Sequence, residues 1–276
     1  MKIAFFGTPQ FTVEFLELFK NIGLDVTLVV TGEDKPVGRG MQMHSPGPKV
    51  WAEKNNIKYL QPKKLSEIES ELSGFDLFIV IAYGKIIPEK IINMPRLGTI
   101  NLHYSLLPKY RGASPVESAI LNGDTKTGIT IQQMVYKLDA GNILFQEKMS
   151  INHDDTTSIL RQKLNKRATE VFPEFLKTLS PDLSPEKKGI LQNESQATNC
   201  GKFLKDDLDV TKEISNKDFE TLYKKYKAFD KKVFFFKNNL RIKISEMNST
   251  EILKVVPESR KEMTLQEYEN GFGKLF

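Results

Sequence analysis

The chain opens on an apolar run at residues 2–6, breaks at Gly7-Thr8-Pro9, and then places Phe11, Phe15, Leu18 and Phe19 at helical spacing. A strand, a turn and a helix are predicted. The alternation continues with a strand at 25–30, a long loop at 31–48, a helix from 49 to about 55 and a second helix near 66–72. Residues 76–82 are almost continuously apolar, as expected of a strand buried on both faces of a parallel sheet. Residues 99–102, 128–134 and 142–147 read as further strands and 113–121 as a helix. The last helix of this series, about 156–179, sets Ile159, Leu160, Leu164, Ala168, Val171, Phe172 and Phe175 on one broad face. Helices alternating with buried strands predict an α/β fold, a doubly wound, Rossmann-like open sheet.

Ser180-Pro181 and Ser184-Pro185 interrupt this pattern, and the polar residues that follow supply few core positions. The expected organisation is a domain over 1–180, a linker over 181–197 and a small β-rich domain over 198–276. In the last, 219–229 reads as a helix, and 233–236 and 240–244 as strands flanking an Asn238-Asn239 turn.

Composition narrows the class. With 276 residues, 39% hydrophobic and 27% charged, the chain can bury a sizeable core, and disordered or fibrous classes are excluded. No apolar run approaches the ~20 residues that span a bilayer, and neither a signal peptide nor membrane association is expected. Cys200 is the sole cysteine, which excludes internal disulfides and cysteine-based zinc sites and suits a reducing, cytoplasmic setting. No metal is expected. The net charge of +5 is compatible with a polyanionic partner and too small to demonstrate one.

Candidate chemistry begins by elimination. Gly7-Thr8-Pro9-Gln10-Phe11 follows the first strand but lacks G-x-G-x-x-G spacing, and neither a P-loop nor a G-x-S-x-G sequence occurs. Asn101 and His103 stand two apart in a predicted buried strand, so both side chains leave the same face. The ordinary histidine pKa, ~6.5, suits proton transfer near neutrality. Taken singly, His103 reads as a core histidine bonded to backbone, and Asn101 or Asp139 as a turn-former. Taken together, an amide, an imidazole and the carboxylate of Asp139 resemble an acyl-transfer site with no side-chain nucleophile, in which a substrate amine attacks directly.

Asn101, His103, Ser105-Leu106-Leu107-Pro108, Tyr110-Arg111-Gly112 with Pro115, and Asp139 thirty-eight positions after Asn101 together resemble the 10-formyltetrahydrofolate-dependent formyltransferases. Gly7-Thr8-Pro9, the Asp34–Gly40 loop, Ala82-Tyr83-Gly84 and the C-terminal module look like the tRNA-directed members of that family. Asp139-Ala140-Gly141-Asn142 stands where the family commonly reads Asp-Thr-Gly-Asp, a form also seen in sugar formyltransferases. The C-terminal module is shorter than the family's usual oligonucleotide-binding-like barrel.

The resemblance implies 10-formyltetrahydrofolate as formyl donor and the amine of initiator methionyl-tRNA as acceptor. It makes Asn101 and His103 donors to the developing oxyanion, Asp139 the group that keeps His103 charged and helps move the proton, and Ser105, Leu106, Leu107 and Pro108 part of the folate wall. It carries the 33–48 loop, with Arg39, to the tRNA acceptor end. A sugar-nucleotide N-formyltransferase is the enzymatic alternative, and an RNA-binding module on an inactive scaffold is the non-enzymatic one. Between Lys224 and Lys243 lie eight basic residues, Lys231 and Lys232 among them, against one acid, Asp230. Interleaved with aromatics, they fit a surface that tracks RNA phosphates, with no role expected in binding DNA.

Overall fold

The computed structural model describes residues 1–37, 41–179 and 189–275. Its first elements are β1 (Lys2–Gly7), α1 (Val13–Asn21), β2 (Asp25–Val30), β3 (Lys35–Val37), β4 (Gln42–His44), α2 (Gly47–Lys54) and β5 (Lys58–Leu60). After a 3-10 stretch at Leu65–Leu72 come β6 (Leu77–Ile81), α3 (Glu89–Ile92), β7 (Thr99–His103), β8 (Arg111–Gly112), α4 (Pro115–Leu121), β9 (Lys126–Gln133), β10 (Ile143–Ser150) and α5 (Thr157–Lys177). Two compact units result. The first comprises Met1–Ala113, Gly128–Lys148 and Leu164–Asn199, and the second Ser114–Thr127, Met149–Lys163 and Cys200–Phe276. The second unit thus draws on two segments upstream of the 198–276 stretch, and residues 189–197 of the expected linker group with the first.

The first unit is built on a seven-stranded mixed sheet in the order β10-β9-β7-β6-β1-β2-β5. The strands from β5 through β7 are parallel, and β9 joins β7 antiparallel. The chain steps outward from β1 to β2 and β5, then returns to the other side of β1 as β6. That reversal opens a crevice beyond the strand ends, where sheets of this kind bind ligands. Period-two alternation in β1 explains why both sheet faces are covered. Phe6 meets Phe78 and Tyr83 at ring distances of 5.1 and 5.6 Å over a layer formed by Leu65, Ile68 and Leu72. On the opposite face Phe5 meets Phe19, and Phe15 meets Phe172 of α5 at 5.6 Å. Removing one such buried ring typically costs ~3–5 kcal/mol.

Two segments differ from the sequence pattern. Residues 66–72, expected to be a helix, form two short 3-10 pieces across a kink at Ile68, whose φ of −121° and ψ of 18° interrupt the helical backbone. The long loop contains the β3–β4 hairpin, paired from Lys35–His44 to Val37–Gln42. Its base is held by Asp34, which accepts from Lys49 at 2.7 Å, Gln61 at 2.8 Å and Ser45 at 3.1 Å. The Lys49 ammonium and these amide and hydroxyl donors hold the Asp34 carboxyl below its ordinary pKa.

The second unit adds β11 (Asn199–Cys200, whose last residue falls here), α6 (Thr211–Ser215), α7 (Phe219–Ala228), β12 (Phe234–Lys237), β13 (Leu240–Met247), β14 (Ile252–Pro257), β15 (Met263–Thr264) and α8 (Leu265–Phe272). Strands β12 to β15 form a four-stranded antiparallel sheet. The Asn238-Asn239 turn joins β12 to β13 with both residues at positive φ, +51° and +60°, the left-handed pair a two-residue hairpin needs. Leu222, Tyr226, Phe235, Ile242, Ile244, Val255 and Tyr268 fill the core beneath this sheet. Asp230 caps the start of α5, accepting from Ser158 N and Oγ at 2.7 Å each. The single acid of the basic stretch therefore has a structural duty. No helix among the described residues is long and apolar enough to cross a membrane.

Candidate active site

Asn101 and His103 are the third and last residues of β7. Antiparallel pairing sets Asn101 opposite Gln132 and His103 opposite Thr130. Paired residues share a face, so Gln132 and Thr130 belong to the same polar surface. The following loop brings Asp139 onto it. Its Oδ1 accepts from Gln132 Nε2 at 2.7 Å and from Asn101 Nδ2 at 3.4 Å, and Oδ2 accepts from the Gly112 amide at 2.8 Å. His103 Nδ1 lies 3.6 Å from Oδ2, beyond direct hydrogen-bond distance. His103 is 6% and Asp139 10% exposed, so the pair is largely withdrawn from solvent. The expected Asn101, His103 and Asp139 are thus brought together.

The tautomer follows from the other ring nitrogen. His103 Nε2 lies 2.8 Å from the Tyr110 carbonyl oxygen, which can only accept, so Nε2 carries a hydrogen. Nδ1 is the nitrogen left for proton chemistry, facing a carboxylate. The hydrogen bonds of Asp139 to Gly112 and Gln132 leave Asn101 with only a long contact to the carboxylate and a second amide hydrogen uncommitted to it.

Asp139 stands at φ +49°, a costly conformation for a residue with a side chain, and its turn is held from outside. Gln192, 4% exposed, donates to the backbone oxygens of Asp139 at 2.9 Å and Gly141 at 2.7 Å. Its own oxygen accepts from Arg111 Nε and Nη2 at 3.0 and 2.8 Å. Arg111, 3% exposed, also pairs with Glu194, which Lys137 reaches at 2.7 Å. Those two cations hold the Glu194 carboxyl at about 2, well below its ordinary pKa. At Gly141 a Cβ would fall 1.7 Å from the Gln133 carbonyl oxygen, so only glycine allows the turn to approach β9.

The remaining expected site residues fall into different settings. Ser105 is fully buried, with Oγ donating to the Lys109 carbonyl oxygen, and its own carbonyl accepts from Thr130 Oγ1. Leu107 is buried, and Gln146 Nε2 donates to its carbonyl oxygen at 2.9 Å. Leu106 and Pro108 alone of the four are half-buried. Apolar surface is exposed in the turn after β6, where Ile86 is 85% exposed, and in the loop before Asp139, at Tyr136 and Leu138. Arg39 lies outside the described residues. In the second unit Lys232 is exposed, while the Lys231 ammonium lies 5.9 Å from the centre of the Tyr226 ring.

Sequence reasoning did not single out Gln132 or Gln192, and it quoted Arg111 only within a motif. Pairing the predicted strands would have found Gln132. No local signal marks Gln192, 53 residues after Asp139 in a stretch that reads as linker.

Residues 1–176 match the formyl transferase family model. A methionyl-tRNA formyltransferase of Thermotoga sp. (strain RQ2) is 41% identical over 235 residues, covering 83% of this chain and 73% of the relative. A solved methionyl-tRNA formyltransferase from Clostridium thermocellum superposes with a TM-score of 0.64 at 16% identity, covering 96% of this chain and 99% of that one. An N-formyltransferase from Helicobacter canadensis, solved with folinic acid and dTDP-3-aminofucose, gives a TM-score of 0.65 at 21% identity over 89% of this chain and 86% of that one. With this match over its first 176 residues and this identity over most of its length, the chain belongs to the formyl transferase family, among the methionyl-tRNA formyltransferases.

Proposed function

We propose that the protein moves the formyl group of 10-formyltetrahydrofolate to the α-amine of initiator methionyl-tRNA. The observation that carries this reading is the convergence of Asn101, His103 and Asp139 on one buried polar surface, in a chain about 40% identical to enzymes of that name. The amine nitrogen bonds to the formyl carbon, the bond from that carbon to folate N10 breaks, and the amine's proton passes to N10. Negative charge gathers meanwhile on the formyl oxygen. The Asn101 amide and a proton on His103 Nδ1 are donors to it, a role worth ~10²–10³-fold in rate per donor. Asp139, fixed by Gly112 and Gln132, faces the ring that becomes cationic and is placed to relay the proton directly or through water. Leu106 and Pro108 offer folate-facing surface, with Ser105 and Leu107 holding the segment from inside. Arg39, Lys231 and Lys232 serve the tRNA.

The test offers methionyl-tRNA and a nucleotide-linked amino sugar, each with 10-formyltetrahydrofolate. Formylation of methionyl-tRNA with neglect of the sugar is the expected result. The reverse preference would replace this reading with the sugar N-formyltransferase that Asp139-Ala140-Gly141-Asn142 also resembles.

A further inference from the structure

The four-stranded sheet of the second unit has an apolar face, where Phe235, Ile242, Ile244 and Val255 meet the core, and an opposite face of different chemistry. Register places Phe236 opposite Arg241 and Phe234 opposite Lys243, so these four side chains share that opposite face. Phe236 is 46% exposed, an unusual setting for a large ring in the middle of a paired strand. Its edge-to-face neighbour is Phe234, at 5.6 Å. The Arg241 guanidinium lies 3.9 Å from the centre of the Phe234 ring, and its buried Nε donates to no acceptor among the described residues. Lys243 is exposed. Glu246, the single carboxylate within strands β12 to β15, is neutralised by Lys254 at 2.6 Å.

An exposed ring beside a guanidinium fixed on a second ring and an unneutralised ammonium has one complementary partner chemistry. A planar base covers the ring while its phosphate meets the cations. A protein partner of matching chemistry would have to be acidic and aromatic-binding at once, whereas every nucleotide carries both features. We infer that Phe236, Arg241 and Lys243 form a stacking platform for an unpaired nucleotide of the tRNA, an inference that rests on the tRNA reading above. Phe236 supplies the stacking face, Arg241 and Lys243 the phosphate contacts.

The experiment uses the full chain with methionyl-tRNA, 10-formyltetrahydrofolate, a short single-stranded RNA and a blunt RNA duplex of equal length. Stacking on an aromatic is worth about 5- to 150-fold in affinity per base. Phe236→Ala should raise KM for methionyl-tRNA within that range and leave kcat unchanged, and Phe236→Tyr should restore KM. Phe236→Trp adds a reporter to a chain whose one native tryptophan, Trp51, is buried in the first unit. Its added emission should be quenched by tRNA and by the single strand but not by the duplex. An unchanged KM in Phe236→Ala, or quenching by the duplex alone, overturns the platform while wild-type formylation of methionyl-tRNA leaves the tRNA reading standing. Failure of the wild type to formylate methionyl-tRNA overturns both. Should Phe236→Ala not fold, the tyrosine and tryptophan variants still decide the matter by KM and quenching.

Discussion

Replacing Gln192 separates the work of holding the Asp139 turn from the chemistry proposed for it. In Gln192→Ala, the buried Arg111 loses the acceptor of two charge-assisted hydrogen bonds, each ordinarily worth ~1.5–3 kcal/mol, and two turn carbonyls lose their donor. Glu194 remains on Arg111, but its carboxylate is more than half exposed and screened, so it offsets only part of the loss. The net expectation is ~2–4 kcal/mol. At ~2–4 °C of melting temperature per kcal/mol, the transition should fall by about 5–15 °C. Release of Asp139 from its positive-φ turn lets its carboxylate drift from His103, and an error of ~1 Å at a catalytic group can cost ~10²-fold in rate. Gln192→Glu divides the two effects. A glutamate still accepts from Arg111 but cannot donate to Asp139 or Gly141, so its melting temperature should fall less than that of the alanine variant while kcat falls comparably. Thermal melts and saturating formyl-transfer assays read both quantities. A Gln192→Ala protein that melts within ~2 °C of wild type and turns over within twofold would refute the argument.

His103→Ala and Asp139→Asn should each lower turnover by ~10²–10³-fold, read in saturating assays, with folate affinity measured by titration largely intact. Arg39→Ala should raise KM for methionyl-tRNA far more than it perturbs the melting temperature or folate affinity, and equal rates at limiting tRNA would dismiss Arg39 as a recognition element. Glu194 has its folded pKa depressed from 4.5 to about 2, so its contribution is present above pH 4.5 and is lost as pH falls toward 2. The melting-temperature gap between wild type and Glu194→Gln should therefore shrink over that window, and a constant gap would remove the linkage. Joint neutralisation of Lys231 and Lys232 should flatten the slope of log K for tRNA against log salt by ~0.7–0.9 per true phosphate contact, and an unchanged slope would free them of that role.

Strand by strand, the first unit was readable because its parallel sheet is buried on both sides, leaving apolar runs such as Leu77–Ile81 with little room for misreading. The β3–β4 hairpin was not, since Lys35-Pro36-Val37 and Gln42-Met43-His44 carry no clear alternation and Gln42–His44 is exposed throughout. The site divides the same way. Asn101 and His103 could be grouped from spacing alone, because a strand's period of two is fixed by covalent geometry. Asp139 needed the family pattern, since a carboxylate in a turn has many local uses. Gln192 and its pair with Arg111, 81 residues apart, depend on tertiary closure that no local pattern encodes.

The basic stretch shows how far a count of charges stands from a binding surface. Lys224 pairs with Glu220, Lys225 with Glu213, Lys227 donates to the His153 carbonyl oxygen, and Lys237 donates to that of Lys274. A cation bonded to a carboxylate has already met its counter-charge, and meeting a phosphate instead requires breaking that pair. Lys231 and Arg241 lie over aromatic rings, which orient a cation without neutralising it. Lys232 and Lys243 are exposed. Lys227 and Lys237 keep their charge, since a carbonyl oxygen does not neutralise an ammonium, but a phosphate must draw them from a hydrogen bond already made. The cations that meet a polyanion without that cost are these last four, two of them beside the exposed Phe236 ring. Since only uncommitted cations release counterions from RNA without first losing an internal partner, the salt dependence of binding should follow those four more closely than the eight seen in the sequence.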